Sequence, residues 1–158
     1  MSLEPPRVFV VDDDPVTLFI VCGPLRAAGH RVEAFEQPQQ LITRISARDR
    51  GCIVLDLRMP ALSGLEVQQA LLARGSVLPL IFMSGRADVP AVVSAMKAGA
   101  VDFLSKPVER RELCAVVERA LRRDAELAAE LSTRERAQER WAALSPRQRD
   151  VCRLFARG

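Results

Sequence analysis

Residues 53 to 56, Ile-Val-Leu-Asp, set the terms for the whole chain. Three consecutive β-favouring apolar residues leave no polar face, so this strand is covered on both sides, the pattern of an inner strand in a parallel sheet. Asp56 ends the run at the strand's carboxyl end, the edge at which open α/β sheets bind their ligands. Met59-Pro60 and Ser63-Gly64 then punctuate a loop leading into a helix. Taken alone, an aspartate in such a loop caps or turns as readily as it reacts.

The same alternation runs through residues 7 to 121. Arg7 to Val11 reads as a strand followed by Asp12-Asp13-Asp14, with Asp14 as N-cap and Pro15 opening helix 1 to about Ala28. Arg31 to Phe35 is strand 2, with His30 a loop residue before it. Helix 2 is expected from Pro38 to about Arg48, strand 3 from Gly51 to Asp56, and helix 3 from Leu65 to Arg74, stopped by Gly75. Val77 to Met83 reads as strand 4, ending in Ser84-Gly85. Asp88 is expected to cap helix 4, with Val92, Val93 and Met96 as its apolar face and Gly99 as its stop. Val101 to Ser105 is strand 5, before Lys106-Pro107, and Glu109 to Leu121 is helix 5. Five strands alternating with five helices imply a parallel sheet with helices on both faces. Right-handed crossovers leave few topologies. The flavodoxin-like (βα)5 order 2-1-3-4-5 is the one expected, and it puts Asp12 and Asp13 beside Asp56, with Ser84 and Lys106 on the same rim.

At 158 residues the chain accommodates one domain with a sizeable core and a short extension. No apolar run approaches a membrane span. The opening Met-Ser-Leu-Glu-Pro-Pro-Arg lacks the basic start and long apolar segment of a secretory signal, so a cytoplasmic location is expected. Cys22, Cys52, Cys114 and Cys152 are widely spaced and read as reduced, mostly buried thiols. Residues 122 to 158 hold the whole net charge of +3. A weakly basic tail is a solvated helix and does not by itself imply nucleic-acid binding.

Residues 122 to 143 contain no Gly or Pro and read as a helical linker continuing helix 5, with Leu127, Leu131 and Trp141 as sparse apolar points. The spacing is too thin for a coiled coil, and Ser132-Thr133 is the point at which a break or a new cap stays open. Ser145, Pro146 and Gln148 then form a capping box, and Val151, Cys152, Leu154 and Phe155 give the last helix an apolar side. One helix cannot bury its own face, so residues 144 to 158 read as the opening of a further domain. The expected organisation is therefore 1–121, 122–143 and 144–158.

Three carboxylates drawn together repel: a pair at about 4 Å costs roughly 4 kcal/mol at an effective dielectric of about 20. Hard oxygen ligands with room for water suit Mg²⁺, which binds through one or two carboxylates and a phosphate. Lys106, one of only two lysines beside 21 arginines, adds a fixed positive charge for a phosphoryl oxygen, and the Ser84 hydroxyl can donate to another. No glycine-rich loop cradles a nucleotide. The phosphate must come from elsewhere, and a carboxylate nucleophile would take it as an acyl phosphate.

Over about residues 6 to 121 the chain resembles the receiver domain of two-component response regulators. The matching pieces are Val10-Val11-Asp12-Asp13-Asp14, Leu55-Asp56-Leu57-Arg58-Met59-Pro60 with Ser63-Gly64, Met83-Ser84-Gly85, Ala95-Met96-Lys97-Ala98-Gly99-Ala100 and Phe103-Leu104-Ser105-Lys106-Pro107. The stretch from Asp88-Val89-Pro90 to Phe103 looks FixJ-like. The resemblance implies that Asp56 is the phosphoacceptor for a histidine kinase, so the chain is a phosphoacceptor and not an enzyme beyond slow self-phosphorylation and dephosphorylation. It implies that Asp13, Asp56 and the Arg58 backbone carbonyl ligate Mg²⁺, with Asp12 acting mainly through water. It further implies that Ser84 and Lys106 bind the phosphoryl group, that Lys106-Pro107 is cis, and that Phe103 is the aromatic switch. Phosphorylation would then change the face of helix 4 and strand 5 and favour a homodimer. Leu144 to Gly158 is similar to the first helix of a LuxR-type DNA-binding domain. No recognition helix follows in this sequence, so DNA binding belongs to a C-terminal domain that the sequence lacks.

The rival is an enzyme. Asp12-Asp13-Asp14-Pro15-Val16 also fits the Asp-x-Asp-x-Val pattern of haloacid-dehalogenase-like phosphatases, with Asp12 as nucleophile. That reading lacks an acidic pair after Lys106 and leaves Asp56 without a role.

Overall fold

The computed structural model describes residues 4–85 and 89–158. The elements are β1 (Arg7–Val11), α1 (Pro15–Ala27), β2 (Val32–Phe35), α2 (Pro38–Arg44), β3 (Gly51–Asp56), α3 (Gly64–Ala73), β4 (Leu80–Ser84), α4 (Val89–Lys97), β5 (Asp102–Ser105), α5 (Arg110–Ala143) and α6 (Pro146–Ala156). The five strands form one sheet in the order β2-β1-β3-β4-β5, every pair parallel, as expected.

Period-two alternation sorts the strand side chains between two cores. Val8, Val10, Val54, Ile81 and Met83 face Leu18, Val21 and Leu25 of α1 and Leu113, Val116 and Val117 of α5. Phe9, Val11, Ile53, Leu55 and Phe82 face Leu41 of α2, Val67 and Leu71 of α3 and Ala95 of α4. β3 is buried at all six positions, the consequence of its uninterrupted apolar run. Each fully buried aliphatic or aromatic side chain contributes about 1.5–3 kcal/mol, so the inner strands dominate the stability.

Local chemistry fixes the helix starts. Asp14 accepts the Val16 N–H and Pro15 occupies the first turn of α1, while Ser63 accepts the Glu66 N–H at the head of α3. Asp88, expected to cap α4, lies outside the described residues. Gly51 opens β3 at φ +128°, where a Cβ would fall 1.7 Å from the Arg7 carbonyl oxygen, so no other residue fits.

Three expectations need correction. α2 ends at Arg44 rather than about Arg48, because Asp49 captures the Ser46 N–H at 2.7 Å and the Arg44 guanidinium at 3.1 Å and turns the chain early. β4 begins at Leu80 rather than Val77, since Pro79 has no N–H to give the ladder. In α4, Ala95 is the buried residue, whereas Val93 and Met96, expected inside, are exposed. As read from the sequence, α5 continues past Leu121, and it runs unbroken through Ser132-Thr133, where the Thr133 hydroxyl donates to the Ala129 carbonyl one turn back.

The chain divides into two compact units, Met1–Ala125 and Glu126–Gly158. In the first, buried Asp124 of α5 accepts from Arg50 Nε at 2.8 Å and from the Gly51 N–H at 3.1 Å, tying the helix to the amino end of β3. In the second, the Ser145 capping box starts α6. Arg149 donates to the Trp141 and Ala142 carbonyls at 3.1 and 3.0 Å, and the guanidinium groups of Arg149 and Arg153 lie over the Trp141 ring. Val151, Leu154 and Phe155 of α6 are exposed.

All four cysteines are free thiols. Cys22 and Cys52 are buried, Cys114 is half-buried, and Cys152 is exposed, so two of the four follow the expected burial. Burial, reinforced by the charge of Asp124, pushes the Cys52 thiol up to about 12 and keeps it protonated. Among the described residues no helix is long and apolar enough to cross a membrane.

Candidate functional site

Parallel register brings the carboxyl ends of four strands to one rim. Val11 pairs with Leu55, Asp56 with Met83, and Ser84 with Ser105. The residue after β1, the last residues of β3 and β4, and the residue after β5 therefore meet: Asp12, Asp56, Ser84 and Lys106. Backbone bonds from Leu57 N–H to the Met83 carbonyl and from Lys106 N–H to the Ser84 carbonyl, both 2.8 Å, clamp the rim.

Carboxylate oxygens of Asp12, Asp13 and Asp56 lie within 4.8 Å of one another. Asp12 is 0% and Asp56 6% exposed, and Asp13 opens to solvent. Lys106 Nζ donates to Asp12 Oδ2 at 2.7 Å and stands 3.3 Å from Asp56 Oδ2. The other Asp12 oxygen accepts the Asp14 N–H at 2.9 Å, and Asp56 Oδ1 accepts the Arg58 N–H at 3.2 Å. Burial, and after it the Asp12 charge, push the Asp56 carboxyl above its ordinary range, against the pull of the Arg58 N–H and Lys106. Burial works to lower the Lys106 ammonium, but the hydrogen bond to Asp12 and the charges of Asp56 and Asp12 outweigh it and hold it above its usual range.

Three carboxylates against one ammonium leave the pocket negative. The donors are hard oxygens, with no thiolate or imidazole among them, and one carboxylate faces water. That set fits Mg²⁺ and not a soft metal.

The structure thus joins Asp12, Asp13, Asp56 and Lys106, with buried Ser84 on the adjoining strand end and exposed Arg58 two residues past Asp56. Lys106-Pro107 is cis. Phe103 lies back along β5, in register with Phe82 and half-buried against the core shared by α2, α3 and α4. Asp12 is a poor candidate for a nucleophile, since it has no accessible surface. Asp56 is 6% exposed, and its Oδ2 stands farther from the ammonium than that of Asp12, 3.3 Å against 2.7 Å.

One contributor was not singled out from the sequence for its position. A Cβ on Gly64 would fall 2.7 Å from the Asp56 carbonyl oxygen and 2.9 Å from Leu57 Cα, so glycine alone lets α3 close down on the strand end. The Ser63-Gly64 dipeptide marked a turn, but no sequence signal measures how near two backbones come.

Residues 8–118 match the family model of the response regulator receiver domain. The chain is 34% identical to the response regulator protein TodT of Pseudomonas putida over all of its own length and 70% of that protein's. It is 38% identical to the transcriptional regulatory protein FixJ of Bradyrhizobium diazoefficiens, covering 92% of this chain and 71% of FixJ. The structure superimposes on that of the response regulator StyR with TM-score 0.89 at 37% identity, covering 98% of this chain and 78% of StyR. Against full-length FixJ from B. japonicum the TM-score is 0.73 at 37% identity, covering 97% and 75% of the two chains. An acidic rim of this kind is where receiver domains bind Mg²⁺ and, as the family implies, are phosphorylated on aspartate. A sheet of this order, a rim of this chemistry and relatives of this kind agree: the chain belongs to the response regulators of two-component systems and contains their receiver domain.

Proposed function

We propose that Asp56 is the phosphoacceptor and that a partner histidine kinase is the donor. The observation that carries this reading is the grouping around Asp56: its carboxylate, at the end of β3, lies within 4.8 Å of two further acids and 3.3 Å from an ammonium that can hold the incoming phosphoryl oxygen. An Asp56 oxygen attacks phosphorus, the phosphorus–nitrogen bond of a phosphohistidine breaks, and the imidazole keeps the electron pair and is protonated. Lys106 and the Ser84 hydroxyl take the phosphoryl oxygens. Asp12, Asp13, Asp56 and the Arg58 carbonyl would hold Mg²⁺, and the bound ion would supply positive charge to the carboxylates and the phosphoryl oxygens alike. The chain turns over no substrate beyond slow loss of its own phosphate.

The added charge of about −1.5 to −2 draws Ser84 toward the phosphoryl group, lets Phe103 turn inward and changes the face of α4 and β5. Exposed Val89, Val93 and Met96 line one side of α4 and support that face as the surface through which two phosphorylated receivers pair. Residues 1–121 act as receiver, 122–143 as helical linker, and 144–158 as the first helix of a LuxR-type domain whose remainder contacts DNA. The setting is the cytoplasm.

The test is treatment with acetyl phosphate and Mg²⁺, then location of the acyl phosphate by mass spectrometry. Label on Asp56, lost in Asp56→Asn, is expected. Label on Asp12 with rapid release of phosphate would instead mean a phosphatase, and no label would remove the reading.

A further inference from the structure

The buried stripe of α3 consists of Gly64, Val67, Gln68 and Leu71. Gln68 is out of place there: the residue is 2% exposed on a face that is otherwise apolar, where a leucine would fill the space without a polar group to satisfy. Its Nε2 donates to the Ala95 carbonyl of α4 at 3.3 Å. That carbonyl closes α4. It also accepts the Ala100 N–H at 3.1 Å, while Gly99, at φ +104°, donates to Met96, which is a glycine-terminated helix end. Gln68 lies one turn after Gly64, whose N–H donates to the Leu57 carbonyl at 2.9 Å and whose missing Cβ allows contact with the Asp56 backbone. A single turn of α3 therefore spans from the backbone of Asp56 to the carboxyl end of α4.

We propose that Gln68 is a positioning residue of the switch: its buried amide ties α3 to the carboxyl end of α4 and sets where that helix rests before phosphorylation. The inference rests on the reading that the α4 face responds to the phosphoryl group at Asp56. Moving the end of α4 away from α3 strips a buried amide of its acceptor, so intermediate positions are penalised and α4 holds one place until it takes another.

The test compares the whole chain with Gln68→Met, which keeps the length and removes the donor, by residue-resolved hydrogen exchange with and without acetyl phosphate and Mg²⁺. In the unmodified variant, exchange at Ala98, Gly99 and Ala100 is expected to rise about fivefold or more, while Val116 and Val117 of α5 stay at wild-type rates. The further change produced by the phosphodonor shrinks, because the end of α4 is already released. Unchanged exchange at 98–100, or an equal rise in α5, overturns the inference and leaves the α4 reading standing. Wild-type exchange in α4 that ignores the phosphodonor, while Asp56 carries the label, overturns the α4 reading and with it the role of Gln68. A second measurement needs no variant. In wild-type protein the Gln68 side-chain amide protons should exchange slowly before phosphorylation and faster after it, and fast exchange in both states overturns the inference.

Discussion

Asp56 sits in its site at a cost to folding. Its folded-state pKa lies above the unfolded one, so stability is full below the ordinary carboxylate range and falls as the pH rises through the shifted value. At neutral pH without metal, Asp56→Asn should therefore melt a few degrees above wild type, with the gap closing toward acid pH, as thermal unfolding would record. Lys106 has the opposite effect. Its ammonium is held above its usual range by Asp12 and Asp56, so its contribution is present at neutral pH and is lost as the pH rises through the shifted value. Lys106→Met leaves Asp12 and Asp56 unpaired and should cost about 2 kcal/mol by urea denaturation, less than a fully buried pair because the lysine is partly solvated. The same substitution removes a positive charge from the cation's neighbourhood and should tighten Mg²⁺ binding measured by calorimetry. These residues were legible because each adjoins an apolar strand and strand order alone assigns them to one rim. Gln68 was not. It occupies a position on α3 that the apolar pattern marks as inward, but its partner on α4 exists only after the two helices pack.

Among the elements, β3 is anchored at both ends. Asp56 closes one, and at the other Gly51 and Arg50 are held by Asp124 of α5, 73 and 74 residues away in sequence. Asp124→Ala would strand a buried N–H and a guanidinium and should cost about 2–4 kcal/mol, measured by equilibrium unfolding. Element identities followed from the sequence pattern, and so did the Asp14 and Ser145 caps, whose partners are local. Some element ends did not. α2 stops where Asp49 gathers Arg44 and Ser46, a cluster assembled by the fold, and the outward turn of Val93 and Met96 reflects which side of α4 the small Ala95 allows against α3. Pro79, by contrast, was in plain view as the limit of β4.

For the molecule as a whole, sheet order and the acidic rim were readable, because right-handed connections leave few ways to wind five βα units. Association is the property to test at this scale. Light scattering should show a larger dimer fraction after acetyl phosphate treatment, and Val93→Glu on the exposed side of α4 should abolish the increase while Asp56 still takes label. Trp141 carries a separate consequence. It is the single tryptophan in a chain without tyrosine, and it lies in the second compact unit, against Arg149 and Arg153. Intrinsic emission is therefore a single-site readout of the α5–α6 corner, so loss of the packing of Arg149 and Arg153 on that ring changes the fluorescence of the wild-type protein with no added label.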